Sequence, residues 1–219
     1  MNNLQQTAHQ LHDAGLCVLP AAANGTKRPA IPWKHFQTER PTPEQLTAWF
    51  QDGTHHGLGV ITGAVSGNLE MLELEGRAVH AGMPAEITAL ADASGLGDLW
   101  RRVTAGYLEF TPSGGIHLLY KVDGPVAGNT KLARRPGPAD EHGRPTIEVL
   151  AETRGEGGWV VVHPSAGPVH PSGGAWTLVA GGPTTITTVT ADERDALHHL
   201  LGAFDRMPHP GDPPPAPPA

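Results

Sequence analysis

Sulfur chemistry is almost excluded by this sequence. Cys17 is the only cysteine in 219 residues, so the chain forms no internal disulfide and no cysteine-ligated zinc ribbon. Cys17 also stands within an apolar run at residues 16–19. That setting favours a buried, unreactive thiol over a nucleophile.

Long apolar segments and excess positive charge are also lacking. No apolar run approaches the length of a membrane-spanning helix, and the first ten residues lack the basic start and apolar stretch of a secretion signal. We therefore expect a cytoplasmic protein without a membrane partner. The formal net charge is −7, whereas proteins that bind nucleic acid over a large part of their surface are usually basic. Any contact with nucleic acid must therefore be local.

Glycine and proline, in contrast, are plentiful. The chain has 28 glycines and 22 prolines, which predicts many turns and few helices. Prolines dominate residues 208–219, and such a segment favours an extended, semi-rigid conformation. We therefore predict one domain over residues 1–207 and a proline-rich linker or tail at 208–219.

Local patterns predict a mixture of helices and strands. Capping boxes at Thr42 and Thr190 mark two helix starts, and helical spacing indicates two further helices at 3–14 and 84–92. We predict a basic loop at 131–145. The predicted strands lie at 16–19, 57–63 and 69–75, in two pieces within 106–122, and at 147–150 and 159–162.

The first candidate site is an acidic strand, Leu72-Glu73-Leu74-Glu75. Because side chains alternate along a strand, Glu73 and Glu75 share one face and the two leucines share the other. Neighbouring carboxylates repel each other unless they are solvated or a cation lies between them. Hard divalent cations prefer such oxygen ligands. Taken alone, the pattern also fits a solvated strand face.

The second candidate site is Ser113-Gly114-Gly115-Ile116-His117. A Ser-Gly-Gly turn can expose backbone N–H groups that bind an anion. The strand that follows places His117 on the face opposite Ile116. Ser113 and His117 together suit phosphate oxygens, although a plain hairpin turn with a hydrogen-bonded histidine also explains the pattern.

The third candidate site follows at residues 148–165. Glu152 and Arg154 share a strand face, and Glu148 has the same parity. Both Glu148 and Glu152 are therefore candidates for a third acidic ligand. The pairs His55-His56 and His198-His199 lack a nearby cysteine and helical ligand spacing, so we interpret them as surface histidines rather than zinc ligands.

In this order, the motifs resemble the primase–polymerase (Prim-Pol) domain of the archaeo-eukaryotic primase superfamily. The resemblance covers about residues 15–176 and is closest to the bifunctional DNA primase/polymerase N-terminal domain of plasmid, phage and actinobacterial replication proteins. It includes Lys27-Arg28-Pro29 with Trp33, Gly57 to Gly63 with Ser66-Gly67, and the three candidate sites.

The resemblance implies a role for each matching residue. Glu73 and Glu75 match two metal-binding acids, and Glu152 matches the third better than Glu148 does. The expected nucleotide-binding residues are Ser113, Gly114, Gly115, His117 and Arg154.

The implied activity is two-metal nucleotidyl transfer from an NTP or dNTP on a single-stranded DNA template, with Mg²⁺ or Mn²⁺. Basic residues at 131–135 would bind the template, and a helicase or other replication domain would follow the proline segment. The implied fold is α+β: an N-terminal α/β module joined to an antiparallel-sheet catalytic module of the RNA-recognition type, with the active site in the cleft between them.

Three other functions remain open from the sequence. Carboxylates with a histidine also serve metal-dependent nucleases, although the triphosphate-type serine–histidine motif argues against hydrolysis. A catalytically degenerate Prim-Pol module that binds nucleotide or DNA, or docks a helicase, is the second alternative. A structural module whose acidic strand is simply solvated is the third.

Overall fold

The computed structural model describes residues 3–208, so most of the predicted proline tail lies outside the described residues. The α-helices of this part are α1 (Asn3–Asp13), α2 (Pro43–Phe50), α3 (Gly76–His80), α4 (Met83–Ala93), α5 (Gly97–Gly106) and α6 (Ala191–Gly202). The strands are β1 (Cys17–Pro20), β2 (Leu58–Ile61), β3 (Leu69–Leu74), β4 (Tyr107–Phe110), β5 (Ile116–Val122), β6 (Thr130–Gly137), β7 (Thr146–Arg154), β8 (Trp159–Val162), β9 (Thr177–Gly181) and β10 (Thr188–Val189).

The strands form two sheets. The small sheet has the order β1-β2-β8, and both of its strand pairs are antiparallel. The large sheet has the order β6-β7-β3-β5-β4-β9, also antiparallel, with β10 added in parallel to β5. The chain therefore has the predicted α+β fold with a large antiparallel sheet.

One face of the large sheet is covered by helices α3 to α6. Leu72 and Leu118 lie opposite each other on β3 and β5 and share a core with Ile87, Trp100 and Leu197 from the helices. Along each strand these positions alternate with residues of the other face, which include Glu73 on β3 and His117 on β5. Because Leu72 and Leu118 face the helices, the residues on either side of them in each strand face the other side of the sheet.

The second face of the large sheet packs against the small sheet and helices α1 and α2. Met71 and Leu119 of the large sheet share a core with Val60 of β2, Leu11 of α1 and Leu46 of α2. This apolar contact covers only part of the face. Where it ends, polar side chains of the large sheet face a cleft whose other wall includes Trp159, Val160 and Val161 of β8.

Both predicted capping boxes are confirmed. The Thr42 side chain accepts a hydrogen bond from the Gln45 backbone, and the Gln45 side chain accepts one from the Thr42 backbone. Thr190 and Glu193 make the same pair of contacts at the start of α6. The two boxes satisfy backbone donors that a helix start leaves free.

The predicted basic loop at 131–145 is wrong over its first half. Residues 130–137 form β6, which pairs with β7 at the edge of the large sheet. An edge position tolerates Pro136, which has no N–H to give to a ladder. Helices are also more frequent than predicted, since α3 and α5 lie outside the predicted helices. In α5, Leu99, Trp100 and Val103 recur at helical spacing.

Cys17 has the predicted buried environment. Its side chain belongs to a small core with Leu19, Phe36 and Ile61, and its thiol donates to the Phe36 carbonyl. Burial raises the pKa of Cys17 to about 12, although the charge of Arg40 opposes the shift. No helix within residues 3–208 is both long enough and apolar enough to cross a membrane.

Candidate active site

Five polar side chains form a row across the cleft face of the large sheet. The strand register pairs Glu109 with His117, His117 with Glu73, Glu73 with Glu152, and Glu152 with Lys131. Directly paired residues of antiparallel strands project from the same face. We call these five residues the polar row; they come from five strands but lie side by side.

The middle of the polar row carries a group of three carboxylates. One oxygen each from Glu73, Glu75 and Glu152 lies within 4.8 Å of the others. Glu75 joins the group because it directly follows β3 and precedes α3. Glu148 does not join it: its carboxylate accepts a hydrogen bond of 2.7 Å from Arg135 Nε. The structure thus brings Glu152, and not Glu148, to the acidic pair.

The three carboxylates perturb one another. Burial raises the pKa of Glu75, and the charge of Glu73 adds to the effect. Burial also raises the pKa of Glu152, helped by Glu73 and opposed by Arg154. Burial acts in the same direction on Glu73, but the close contact and charge of His117, together with the charges of Arg154 and Lys27, outweigh burial and leave the pKa lowered.

This donor set suits a hard divalent cation. Three carboxylates supply the oxygen ligands that Mg²⁺ and Mn²⁺ prefer. A cation between them would also relieve the repulsion that raises the pKa of Glu75 and Glu152. The residues present therefore fit the metal dependence that the sequence motifs imply.

His117 lies next to the carboxylates and is almost fully buried. Its Nδ1 is 2.8 Å from Glu109 Oε1, and its Nε2 is 3.7 Å from Glu73 Oε1. Burial alone would lower its pKa, but the hydrogen bond to Glu109 and the nearby charges of Glu109 and Glu73 outweigh burial and raise it to about 9. The carboxylates beside both ring nitrogens thus favour the protonated imidazolium form of His117.

The Ser-Gly-Gly turn links β4 to β5 at the rim of the cleft. Ser113 lines the cleft, and its Oγ is 3.1 Å from His170 Nε2. The N–H groups of Gly114 and Gly115 donate to the carbonyl and hydroxyl oxygens of Thr111. Both glycine amides therefore brace the turn itself, and the Ser113 side chain is the polar group presented to the cleft.

The opposite wall of the cleft comes from the loop after β1, from β8 and from the segment after β8. It contributes Lys27, Trp159, His170 and Trp176, and the cleft encloses about 340 Å³. Trp159 Nε1 donates to the Lys27 carbonyl oxygen at 2.8 Å, which fixes the backbone that carries the lysine. Lys27 and His170 are cleft residues to which the sequence analysis gave no role.

The basic segment 131–135 is largely neutralised by acids. Arg134 forms an ion pair of 2.8 Å with Asp205, and Arg135 one of 2.7 Å with Glu148. Lys131 ends the polar row opposite Glu152 and is exposed. Of the basic residues predicted to bind the template, Lys131 is therefore the one that the structure places beside the carboxylates.

His198 does not fit the prediction of a surface histidine. Its Nε2 lies 3.2 Å from Glu70 Oε2, on the helix-covered side of the large sheet. Arg194 and Tyr120 also donate to this fully buried carboxylate. His198 thus belongs to a contact between α6 and the sheet, whereas His199 is exposed as predicted.

An antiparallel sheet that presents clustered carboxylates and an imidazolium to a cleft defines a candidate metal-dependent phosphate-transfer site. The family model of the bifunctional DNA primase/polymerase N-terminal domain (Prim-Pol) matches residues 8–187. The chain therefore belongs to the Prim-Pol family. A search of the curated proteins returned no match. Family membership implies primase/polymerase-type nucleotidyl transfer, binding of nucleotide and DNA, and dependence on a metal ion.

Proposed function

We propose that this protein is a DNA-dependent primase/polymerase that transfers nucleotides from NTP or dNTP on a single-stranded DNA template. The observation that carries the proposal is the convergence of Glu73, Glu75 and Glu152 within 4.8 Å, inside the segment that the family model matches. Glu73 and Glu75 lie on and directly after β3, whereas Glu152 lies on β7, so the approach of the third acid is a property of the fold and not of one local motif.

In this proposal Glu73, Glu75 and Glu152 would hold two ions of Mg²⁺ or Mn²⁺. When bound, such ions stabilise negative charge on the attacking and leaving oxygens of a phosphoryl transfer. The protein supplies the ligands from a rigid sheet, and Glu73 is further oriented by His117. The fold therefore brings the three carboxylates together before any substrate enters.

The triphosphate would be held by Ser113, His117 and Arg154. Gly114 and Gly115 belong to the site by holding Ser113 at the rim. The imidazolium of His117 offers a charged donor to phosphate oxygens. Arg154 is paired with Glu152 but remains partly exposed, so its guanidinium can exchange that carboxylate for a phosphate.

The template and further partners are also part of the proposal. Lys131 at the open end of the polar row is suited to a phosphate of the DNA backbone. With a formal net charge of −7, affinity for DNA must come from such local contacts. We also propose a cytoplasmic location and a replicative helicase as partner, both inferred from the sequence.

Primer synthesis on single-stranded DNA tests the function. Labelled NTPs or dNTPs are supplied with Mg²⁺ or Mn²⁺, and wild type is compared with Glu73→Gln and Glu152→Gln. We expect both variants to lose activity by about 100-fold or more, because even groups behind a metal ligand typically cost 10–100-fold. Glu148→Gln is the matched control on the same strand and should retain activity.

Other outcomes would point to the other functions. Cleavage of DNA without incorporation would indicate a metal-dependent nuclease. Metal-dependent nucleotide binding without synthesis or primer extension would indicate a degenerate binding module. Equal activity of wild type and Glu73→Gln would remove the carboxylates from the mechanism altogether.

A further inference from the structure

Glu109 is a fully buried acid behind the nucleotide site. Its side chain is 0% exposed, and it occupies the β4 end of the polar row. Its Oε1 lies 2.8 Å from His117 Nδ1. Its Oε2 accepts from the Tyr107 hydroxyl and from the backbone N–H of His163, both at 2.8 Å.

A carboxylate in such a position is costly unless its oxygens are satisfied. All of these contacts come from groups that the fold holds rigidly. Tyr107 is on the same strand and is buried, whereas His163 directly follows β8 of the small sheet. The carboxylate therefore links the large sheet to the segment after β8 at the back of the cleft. An apolar residue of similar size would fill this position without the free-energy cost of burying a charge.

We propose that Glu109 is a positioning residue that fixes the imidazole of His117 for nucleotide binding. This inference rests on the proposed function, because it assigns a role to Glu109 within the same site. Glu109 itself is behind His117 in the polar row and acts on the substrate only through that ring.

The geometry explains how the ring is fixed. The two nitrogens of an imidazole point in different directions, and the partner of one nitrogen determines which edge the other presents. Since a carboxylate only accepts, Nδ1 carries its hydrogen toward Glu109. The Nε2–H edge then faces Glu73 and the cleft. The same arrangement, a histidine held from behind by a carboxylate, orients histidines at metal sites.

Glu109→Gln provides the sharpest test because it keeps the size of the side chain. Tyr107 and His163 both donate to Oε2 in the wild type, so the amide oxygen of glutamine is expected at that position. The amide NH₂ then points at His117 Nδ1, which can accept only without its hydrogen. The substitution therefore moves hydrogen off Nδ1 without removing the histidine.

Two readouts follow on the full chain. Nitrogen NMR of labelled histidine should show His117 Nδ1 bearing hydrogen in the wild type and lacking it in Glu109→Gln, without any nucleotide or metal present. In primer extension, KM for the incoming nucleotide should rise by about 10–100-fold, while affinity for single-stranded DNA is unchanged.

Glu70→Gln is the matched control. Glu70 is also 0% exposed on the same sheet, but its partners Tyr120, Arg194 and His198 lie on the opposite face. Both variants lose a buried carboxylate, so both are expected to unfold at lower temperature. Only Glu109→Gln should change KM when all proteins are assayed well below their unfolding midpoints.

Either of two results would overturn the inference. One is an unchanged His117 signal in Glu109→Gln, and the other is a KM that changes equally in Glu70→Gln and Glu109→Gln. A wild-type protein that makes no product would instead contradict the proposed function. The His117 signal would still decide in that case whether Glu109 fixes the ring.

Discussion

Glu75 is held where its own negative charge is unfavourable. Burial and the neighbouring charge of Glu73 raise its pKa above the ordinary value of 4.5. Ionisation therefore costs the folded state more than the unfolded state, and the free energy of unfolding falls as pH rises through the folded pKa. Functional sites commonly carry such a cost because their charges are placed for a ligand.

We predict that Glu75→Gln stabilises the metal-free protein. Glutamine cannot ionise, so the variant should be more stable than wild type at pH 7 by on the order of 1 kcal/mol. The difference should vanish near pH 4, where wild-type Glu75 is protonated, and grow as pH rises. Urea unfolding in the presence of a chelator, at several pH values, measures it. A wild type that is more stable than Glu75→Gln at pH 7 would contradict this electrostatic account.

The sequence predicted those site residues that lie in strands with a recognisable alternation of side chains. Alternation along β3 and β5 placed Glu73, Glu75 and His117 on the polar face, and the geometry agrees. Parity leaves Glu148 and Glu152 equivalent, the family resemblance favours Glu152, and the pairing of β7 with β3 places Glu152 beside Glu73. Glu109 could not be found this way, since a single acid on a short strand carries no signal until its register with His117 is known.

At the scale of elements, the short helix α3 supports the Ser-Gly-Gly turn. A Cβ on Gly76 would lie 2.1 Å from the Ser113 carbonyl oxygen, and one on Gly114 would lie 2.8 Å from the His80 ring. Backbone of the turn and backbone of the helix are thus in direct contact. The position of Ser113 in the cleft depends on this close approach.

We predict that Gly76→Ala displaces the turn. The added methyl group must push Ser113 away, which should destabilise the fold by about 1–3 kcal/mol and raise KM for the nucleotide several-fold. Gly124→Ala is the control, because a Cβ there meets nothing within 4 Å. Thermal unfolding and nucleotide titration in primer extension measure the two effects. Identical KM values for both variants would show that the turn does not bind substrate.

Helices that begin with a capping box were predictable from the sequence. A strand that forms only by pairing with a distant part of the chain was not. Both capping boxes mark helix starts through side-chain oxygens that satisfy backbone donors. In contrast, residues 130–137 read as a loop because proline, glycine and arginines dominate them. They become β6 because β7 offers them a ladder, which no local pattern in residues 130–137 reveals.

At the scale of the whole molecule, the cleft lies between two cores. Leu72 and Leu118 belong to the core under the helices, whereas Met71 and Leu119 belong to the core beneath the small sheet. Lys27 and His170 reach the cleft from the far wall. A ligand held by the carboxylates and this wall would therefore stabilise the whole fold by binding only its folded state.

We predict that Mn²⁺ or Mg²⁺ raises the unfolding temperature through the carboxylates. At 100 times the dissociation constant the gain is about 2.7 kcal/mol, equivalent to about 5–10 °C for a chain of this size. Glu152→Gln should lose most of this shift and Glu148→Gln should retain it. Differential scanning calorimetry with and without metal measures the shifts. Equal shifts in both variants would place the ion elsewhere.

The candidate active site depends on the register of the strands, because the polar row forms only when they are paired as observed. Sliding β7 by a single residue along β3 would exchange Glu152 for Ala151 or Thr153 at the centre of the row, and would turn the glutamate toward the apolar core. An unpaired carboxylate in that core costs several kcal/mol. The apolar side of β7, where Ala151 lies in the core under the helices, therefore opposes such a slip. The register that keeps Ala151 in the core is also the one that brings the acids together.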